Sequence, residues 1–409
     1  MGATALTHPI FESAGPPGRV ELDVPVLEAG GLAGPGGLSP GSVTRFQDED
    51  PSSPLRVYGV PKSMLVEVGP FPYSPPDSSS PDSPSPLPHA PPTARPNARI
   101  VLNGRPGTGK SFLLLQLASY AAALRTPSGH RQWIVIYLPR TRALLDGSTP
   151  AVYSLQTQTY QQPRAAWNLL SRIGRANREF LEVLGTTREW RFSVASASAG
   201  AGAGVDSTAA QQTIDHALAP ALLDALLTEL SSQTQFPVLL AIDDFQALAA
   251  GRSGYRDAQY KSIRPHHLGM GRVLLEFAGG RRGLARGLLL AALTRSDPAF
   301  PVPPQLAAAL SLPDEFTPSP RSVRERRSAQ LASYLEGEGK RRERALRAVR
   351  VPDALSVREA AALFEVWLDA GVERETGADE LFLGKYAESS GNARAFVWGG
   401  LLATLQTAK

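Results

Sequence analysis

From about residue 98 onward, short unbroken apolar runs alternate with longer stretches whose apolar residues recur every three to four positions. The runs ARIVLN (98–103), QWIVIYLP (132–139), FPVLLAIDD (236–244) and GLLLAALT (287–294) have the length and content of strands buried on both faces. Between them, SFLLLQLASYAAAL (111–124), a stretch over 164–184 carrying Trp167, Leu170, Ile173 and Leu181, a third over about 209–230 and a fourth near 267–277 read as helices. Strands alternating with helices predict an α/β domain: a parallel sheet with helices on both faces.

The rhythm fails at both ends. Residues 1–69 are punctuated by Gly and Pro and predict an extended N-terminal arm with one or two short strands. Residues 70–96, PFPYSPPDSSSPDSPSPLPHAPPTARP, predict a Pro/Ser-rich disordered linker. After about residue 300 the pattern turns helical. Ser356 and Glu359 stand at capping-box spacing, and Ala360, Leu363, Phe364, Trp367 and Leu368 form one apolar stripe, read as core. A last helix is expected over about 393–407. The expected division is therefore the arm (1–69), the linker (70–96), an α/β domain (97–300) and a basic helical C-terminal subdomain (301–409). The loop SVASASAGAGAGVDS (193–207) is flexible by composition.

Composition sharpens this picture only in places. Of the 36 Pro, 20 fall in the arm and linker, whereas 26 of the 37 Gly lie beyond them, and with no cysteine there are neither disulfides nor thiolate metal sites. No apolar run reaches membrane-spanning length, so membrane insertion is not expected. The opening MGATALTHPI is not a secretory signal, and no Arg-rich presequence is visible near it. The net charge of +4 is compatible with nucleic acid. The basic residues gather in Arg324, Arg326, Arg327, Lys340, Arg341, Arg342 and Arg344. Interleaved glutamates leave two readings open there, an RNA-backbone contact or a salt-bridged exposed helix.

The chemistry centres on Gly104-Arg105-Pro106-Gly107-Thr108-Gly109-Lys110-Ser111. It has the form G-x-x-x-x-G-K-S after a strand and before a helix, the context a phosphate-binding loop requires. Glycines let the backbone wrap a phosphate, and the helix N-terminus adds its positive end. Lys110 is placed to reach the β/γ-phosphates, and Ser111 to ligate Mg²⁺. Asp243, at the end of the third apolar run, is the expected Mg²⁺ partner. Asp244 follows as a weak candidate for the base that activates water, short for that task. Thr294 reads as a polar sensor of the γ-phosphate, as the start of TRSD, a loose match to a guanine-recognition sequence whose acid would be Asp297, or as part of an ordinary polar loop after a strand. In SSGNARAF (389–396), Arg394 reads either as an arginine presented to the nucleotide by a helical lid or as a solvated residue beside a helix capped by Asn392.

In order, VLNGRPGTGKS, QWIVIYLPR, YSLQTQTYQQPRAAWNLLSRIGRANREFL, VLLAIDDFQAL, RGLLLAALTRS, ALSVREAAALFEVWLDAGV and SSGNARAF resemble the mitochondrial small-subunit ribosomal proteins of the death-associated protein 3 family, in a fungal-type form, over roughly residues 98–405. The resemblance implies a P-loop NTPase fold of AAA-like kind in the mitochondrial matrix. It implies binding of GTP or GDP, with ATP as the alternative, together with Mg²⁺. It also implies contacts with small-subunit rRNA and neighbouring ribosomal proteins rather than life as a free monomer. Carried over residue by residue, it assigns Gly104, Gly107, Gly109, Lys110 and Ser111 to phosphate and Mg²⁺, and Asp243 to the acid. Little or no turnover is expected; the competing reading is an active AAA- or STAND-type ATPase using Asp243, Asp244, Thr294 and Arg394.

Overall fold

In the computed structural model, the residues described are 98–123, 130–190, 207–294, 300–312, 346–357, 359–361, 363–364 and 378–401, with Leu331, Tyr334 and Leu335. The arm, the Pro/Ser linker, the 193–206 loop, the basic clusters, Trp367, Leu368 and Asp297 lie outside them.

Five strands form a parallel sheet in the order β2-β5-β6-β1-β7. They are β1 (Ala98–Asn103), β2 (Ile134–Leu138), β5 (Val238–Ile242), β6 (Gly287–Ala292) and β7 (Arg347–Arg350). The four apolar runs of the sequence are thus strands, and both faces of the sheet are buried. Ile134, Ile136, Val238, Leu240, Ile242, Leu289 and Ala291 pack into one core. The alternate residues Val135, Tyr137, Leu239, Ala241, Leu290 and Ala292 pack into another. A period of two with apolar residues in both phases gives an unbroken apolar run.

The second of these cores is closed by α1 (Lys110–Ala123), through Leu114, Ala118, Ala121 and Ala122. The first is closed by α2 (Pro163–Ala176), α4 (Ser207–Ser232) and α5 (Gly269–Ala278), through Leu169, Ile173, Leu223, Leu227, Leu274 and Leu275. The expected helix over 164–184 divides at Asn177 into α2 and α3 (Arg178–Val183). The cause is local. The buried side chain of Asn177 accepts from Val135 N at 2.9 Å and donates to Val135 O at 3.0 Å, taking the place of a neighbouring strand on the open side of β2.

The sequence pattern did not predict a two-stranded antiparallel hairpin, β3 (Val152–Ser154) with β4 (Thr159–Gln161). Nor did it predict β7. That strand comes from the segment expected to be helical and lies beside β1, pairing Ile100 with Arg347 and Asn103 with Arg350. Val302, Leu306 of α6 (Pro304–Ala309), Leu331, Tyr334 and Leu335 also enter the main core, so packing is continuous across residue 300.

The C-terminal region ends in α7 (Ala378–Ser389), a single turn α8 (Ala393–Ala395) and a π-helical turn over Phe396–Leu401, where one longer helix was expected. Phe364, Phe382, Tyr386 and Phe396 form its aromatic centre, with adjacent ring centroids 5.5–6.4 Å apart. The capping box is formed: Ser356 N donates to Glu359 Oε2 at 2.7 Å, and Glu359 N donates to Ser356 Oγ at 3.2 Å. No helix among the described residues is long and apolar enough to cross a membrane.

Candidate functional site

The parallel sheet brings its loop-bearing ends to one side, and the predicted residues meet there. The 104–111 loop runs from the end of β1 into α1. Gly107 and Gly109 sit at φ 81° and 84°, backbone that other residues adopt at a cost. At Gly107 a Cβ would stand 2.5 Å from Asn392 Oδ1, so the glycine also permits a close approach. Lys110 is buried, and its Nζ donates to Gly104 O at 3.0 Å, Arg105 O at 2.6 Å and Thr108 Oγ1 at 3.2 Å. The loop is thereby folded around its own ammonium group. Thr108 Oγ1 donates to Arg105 O at 3.0 Å and tightens the turn around Pro106.

Ser111, in the first turn of α1, donates through Oγ to Asp243 Oδ1 at 3.0 Å. Thr294, just past β6, donates through Oγ1 to the same carboxylate oxygen at 3.2 Å and lies 3.3 Å from Ser111 Oγ. Three residues spread over 183 positions thus form one oxygen triangle beneath the loop. Asp243 is buried, and its carboxyl is pushed up to about 6, chiefly by loss of water and next by the neighbouring Asp244. Hydrogen bonds from the Asp244 amide, Ser111 and Thr294 oppose that shift. A buried carboxylate with two hydroxyls is a donor set of hard oxygens, which suits Mg²⁺. The glycine cradle at a helix N-terminus suits a phosphate chain. The residues present therefore fit a magnesium-bound nucleoside phosphate.

Asp244 is oriented differently. Its backbone is left-handed at φ 54°, and its Oδ2 faces Arg142 Nε at 3.5 Å. The candidate base is thus engaged with a guanidinium. Arg394 is exposed, but its backbone N donates to Gly107 O at 2.9 Å, and Asn392 Nδ2 donates to Pro106 O at 3.0 Å. Asn392 Oδ1 also accepts from Ala395 N at 3.1 Å, capping α8. The helix is thus capped by Asn392 with Arg394 exposed, and the backbone of the segment also rests on the loop.

Three participants escaped the sequence reading. Gln246 is buried and clamps the main chain of Thr294, donating from Nε2 to Thr294 O at 2.6 Å and accepting at Oε1 from Thr294 N at 3.0 Å. Arg142 holds Asp244. Asp353, after β7, sits 3.8 Å from Arg105 and 2.6 Å from Arg350, tying the outer rim of the loop to the edge strand. For Gln246 a signal existed, its place three residues after Asp243. For Arg142 and Asp353 the pairing appears only on folding.

A model of the family described as mitochondrial ribosomal death-associated protein 3 matches residues 89–398. No curated protein matches the chain.

Proposed function

Since the chain belongs to the mitochondrial ribosomal death-associated protein 3 family and so to the mitochondrial small ribosomal subunit, we propose that it serves there as a structural component that anchors a guanine nucleotide with Mg²⁺ in the 104–111 loop. The observation that carries this reading is the oxygen triangle of Ser111, Asp243 and Thr294 beneath a glycine loop closed around Lys110.

Each residue takes a physical role. The loop amides around Gly107 and Gly109 and the N-terminus of α1 bind phosphate oxygens. Lys110 is a donor that can exchange loop carbonyls for phosphate. Ser111 and Asp243 hold Mg²⁺, which when bound neutralises phosphate charge. Thr294, fixed by Gln246, orients toward the same ion. Arg394 stands at the rim as a further cation for the phosphates. The guanine preference rests on the family resemblance, since TRSD around Asp297 is too loose a match to rank guanine over adenine. Slow or absent turnover follows from Asp244, whose carboxylate is engaged with Arg142. Contacts with small-subunit rRNA and protein neighbours complete the reading.

A second reading, an active ATPase, draws on the contact of Thr294 with the Ser111–Asp243 pair, which suits a γ-phosphate sensor. One experiment separates the two: mitochondrial small subunits are washed in high salt, and the nucleotide they retain is extracted and identified. Stoichiometric guanine nucleotide, with no turnover by the purified protein, is the expected result. Loss of the protein from the particle, or adenine nucleotide with brisk hydrolysis, overturns the proposal.

A further inference from the structure

Residues 252–264, RSGYRDAQYKSIR, form a second hairpin, and the proposal above, whose RNA contact this inference rests on, assigns it no task. Its inner side is anchored. Tyr255 and Ile263 are buried with Leu145, Ala247 and Leu268 in a small apolar cluster. Tyr255 Oη meets Thr149 Oγ1 at 2.8 Å and accepts from Gln162 Nε2 at 3.0 Å. Gly254 N donates to Leu145 O at 2.6 Å, and a Cβ at Gly254 would collide with the backbone of Asp146.

The two arms are tied along their length. Ser253 N donates to Ile263 O at 3.1 Å, Ile263 N to Tyr255 O at 3.0 Å, and Asp257 N to Lys261 O at 2.9 Å. Arg256 and Ser262 form an antiparallel bridge. The tip is set by the single acid of the hairpin, Asp257, whose Oδ1 accepts from Gln259 N at 2.9 Å and Lys261 N at 2.8 Å.

On this rigid frame Tyr260 stands at the apex, 85% exposed, with φ 60°. That left-handed backbone is easiest for Gly or Asn, yet the position carries a large ring turned to solvent. Arg256 and Lys261 flank the tip, and Arg252 and Arg264 flank the base. All four are exposed, and none forms an ion pair among the described residues. A preset aromatic face between cations, with its one carboxylate spent on the turn, matches the needs of an unpaired nucleic-acid strand. The ring stacks a base, and the cations meet the phosphates on either side. Because the frame is already ordered, little freedom is lost on binding.

The geometry points to this hairpin as a binding site for single-stranded RNA, with Tyr260 stacking a base and Arg256 and Lys261 contacting the adjoining phosphates. The neighbouring hairpin β3–β4 exposes Val152, Tyr153 and Leu155, an apolar set without that charge. It suits a protein neighbour better and is not included in the site.

The test uses the full-length protein and fluorescence anisotropy with an oligouridine of roughly 12 nucleotides. Tyr260→Gly relieves the left-handed backbone, so the fold is retained while the ring is lost. Affinity is expected to fall about tenfold or more, and Tyr260→Phe should bind like the parent. The double variant Arg256→Gln, Lys261→Gln should reduce the slope of log affinity against log salt by about 1 to 2. In the intact small subunit, ultraviolet crosslinking should join Tyr260 to RNA. Unchanged affinity for Tyr260→Gly, equal binding of a duplex, or crosslinking of Tyr260 to a ribosomal protein would overturn the inference. Nucleotide content of the particle is read in parallel. Its loss would count against the nucleotide proposal and leave the Tyr260 result standing.

Discussion

At the scale of single residues, Asp243 and Gln246 make the site testable without any ligand. Burial and Asp244 push the Asp243 carboxyl up to about 6 from an ordinary 3.8. Between about pH 4 and 6 the native protein holds a proton that the unfolded chain has released. The stability contributed by this group is therefore complete below about pH 4, lost as pH rises through 6, and constant above; the span amounts to about 3 kcal/mol. Asp243→Asn retains an acceptor for Ser111, Thr294 and the Asp244 amide, so denaturant unfolding across pH 4–7 should show that slope removed. An unaltered slope would mean that another group carries it. Gln246→Leu strips both partners from the main chain of Thr294 and should cost about 2–4 kcal/mol in urea unfolding. A loss below about 0.5 kcal/mol would show that the clamp is not what fixes Thr294. Lys110, Ser111, Asp243 and Thr294 could be picked out in the sequence because each sits at a fixed offset from a loop or at the end of an apolar run. Gln246 also stands at a fixed offset from Asp243, but its task, holding Thr294 48 positions away, shows only on folding.

At the scale of elements, β1, β2, β5 and β6 and the helices between them were readable because a strand buried on both faces needs an unbroken apolar run. β7 was not, because at the sheet margin RAVR needs no such run and carries three exposed residues out of four. The division of α2 from α3 was hidden for a related reason. The apolar spacing continues through Asn177, and only the exposed edge of β2 reveals why an amide is needed there. Asn177→Ala leaves Val135 N and O without the partners that now satisfy them in a buried setting. We expect a loss of about 2–4 kcal/mol in urea unfolding. Asn177→Asp should lose the bond to Val135 O and add a charge at a site 1% exposed, so it should be no better tolerated. If Asn177→Asp matches the parent, the amide does not act as the missing strand. At the other end of the molecule, Asn392→Ala removes both the cap of α8 and the bond to Pro106 O across 286 positions. Loss of the cap alone is worth about 1 kcal/mol. Faster amide exchange at Ala395 and Phe396 is the expected sign, and unchanged exchange would mean the turn is held by Phe396 alone.

At the scale of the whole molecule, the strand that leads into the 104–111 loop lies inside the sheet only because β7 covers it. The cover does more than complete a ladder. Val351 N donates to Asn103 O at 2.7 Å, Asp353 faces Arg105, and Asn392 and Arg394 rest on Pro106 and Gly107. Two separate pieces of the C-terminal region, residues 351–353 and 392–394, thus touch the loop and the strand that leads into it. The family match over residues 89–398 runs through both parts without a break. A chain ended at residue 345 would lose all of these contacts and leave the apolar β1 as an open edge, which invites association with other chains. Expressed in this form, the protein should aggregate or, given the proposed nucleotide site, bind Mg²⁺ and guanine nucleotide at least tenfold more weakly than the full chain, a difference of about 1.4 kcal/mol. Isothermal titration of the soluble fraction measures it. If the shortened chain stays monomeric and binds with the affinity of the parent, the loop is shaped by the sheet and α1 alone. The C-terminal region would then owe its place on the loop to some other need, such as presenting α7 and Trp398, which is 57% exposed, to a neighbour in the ribosome.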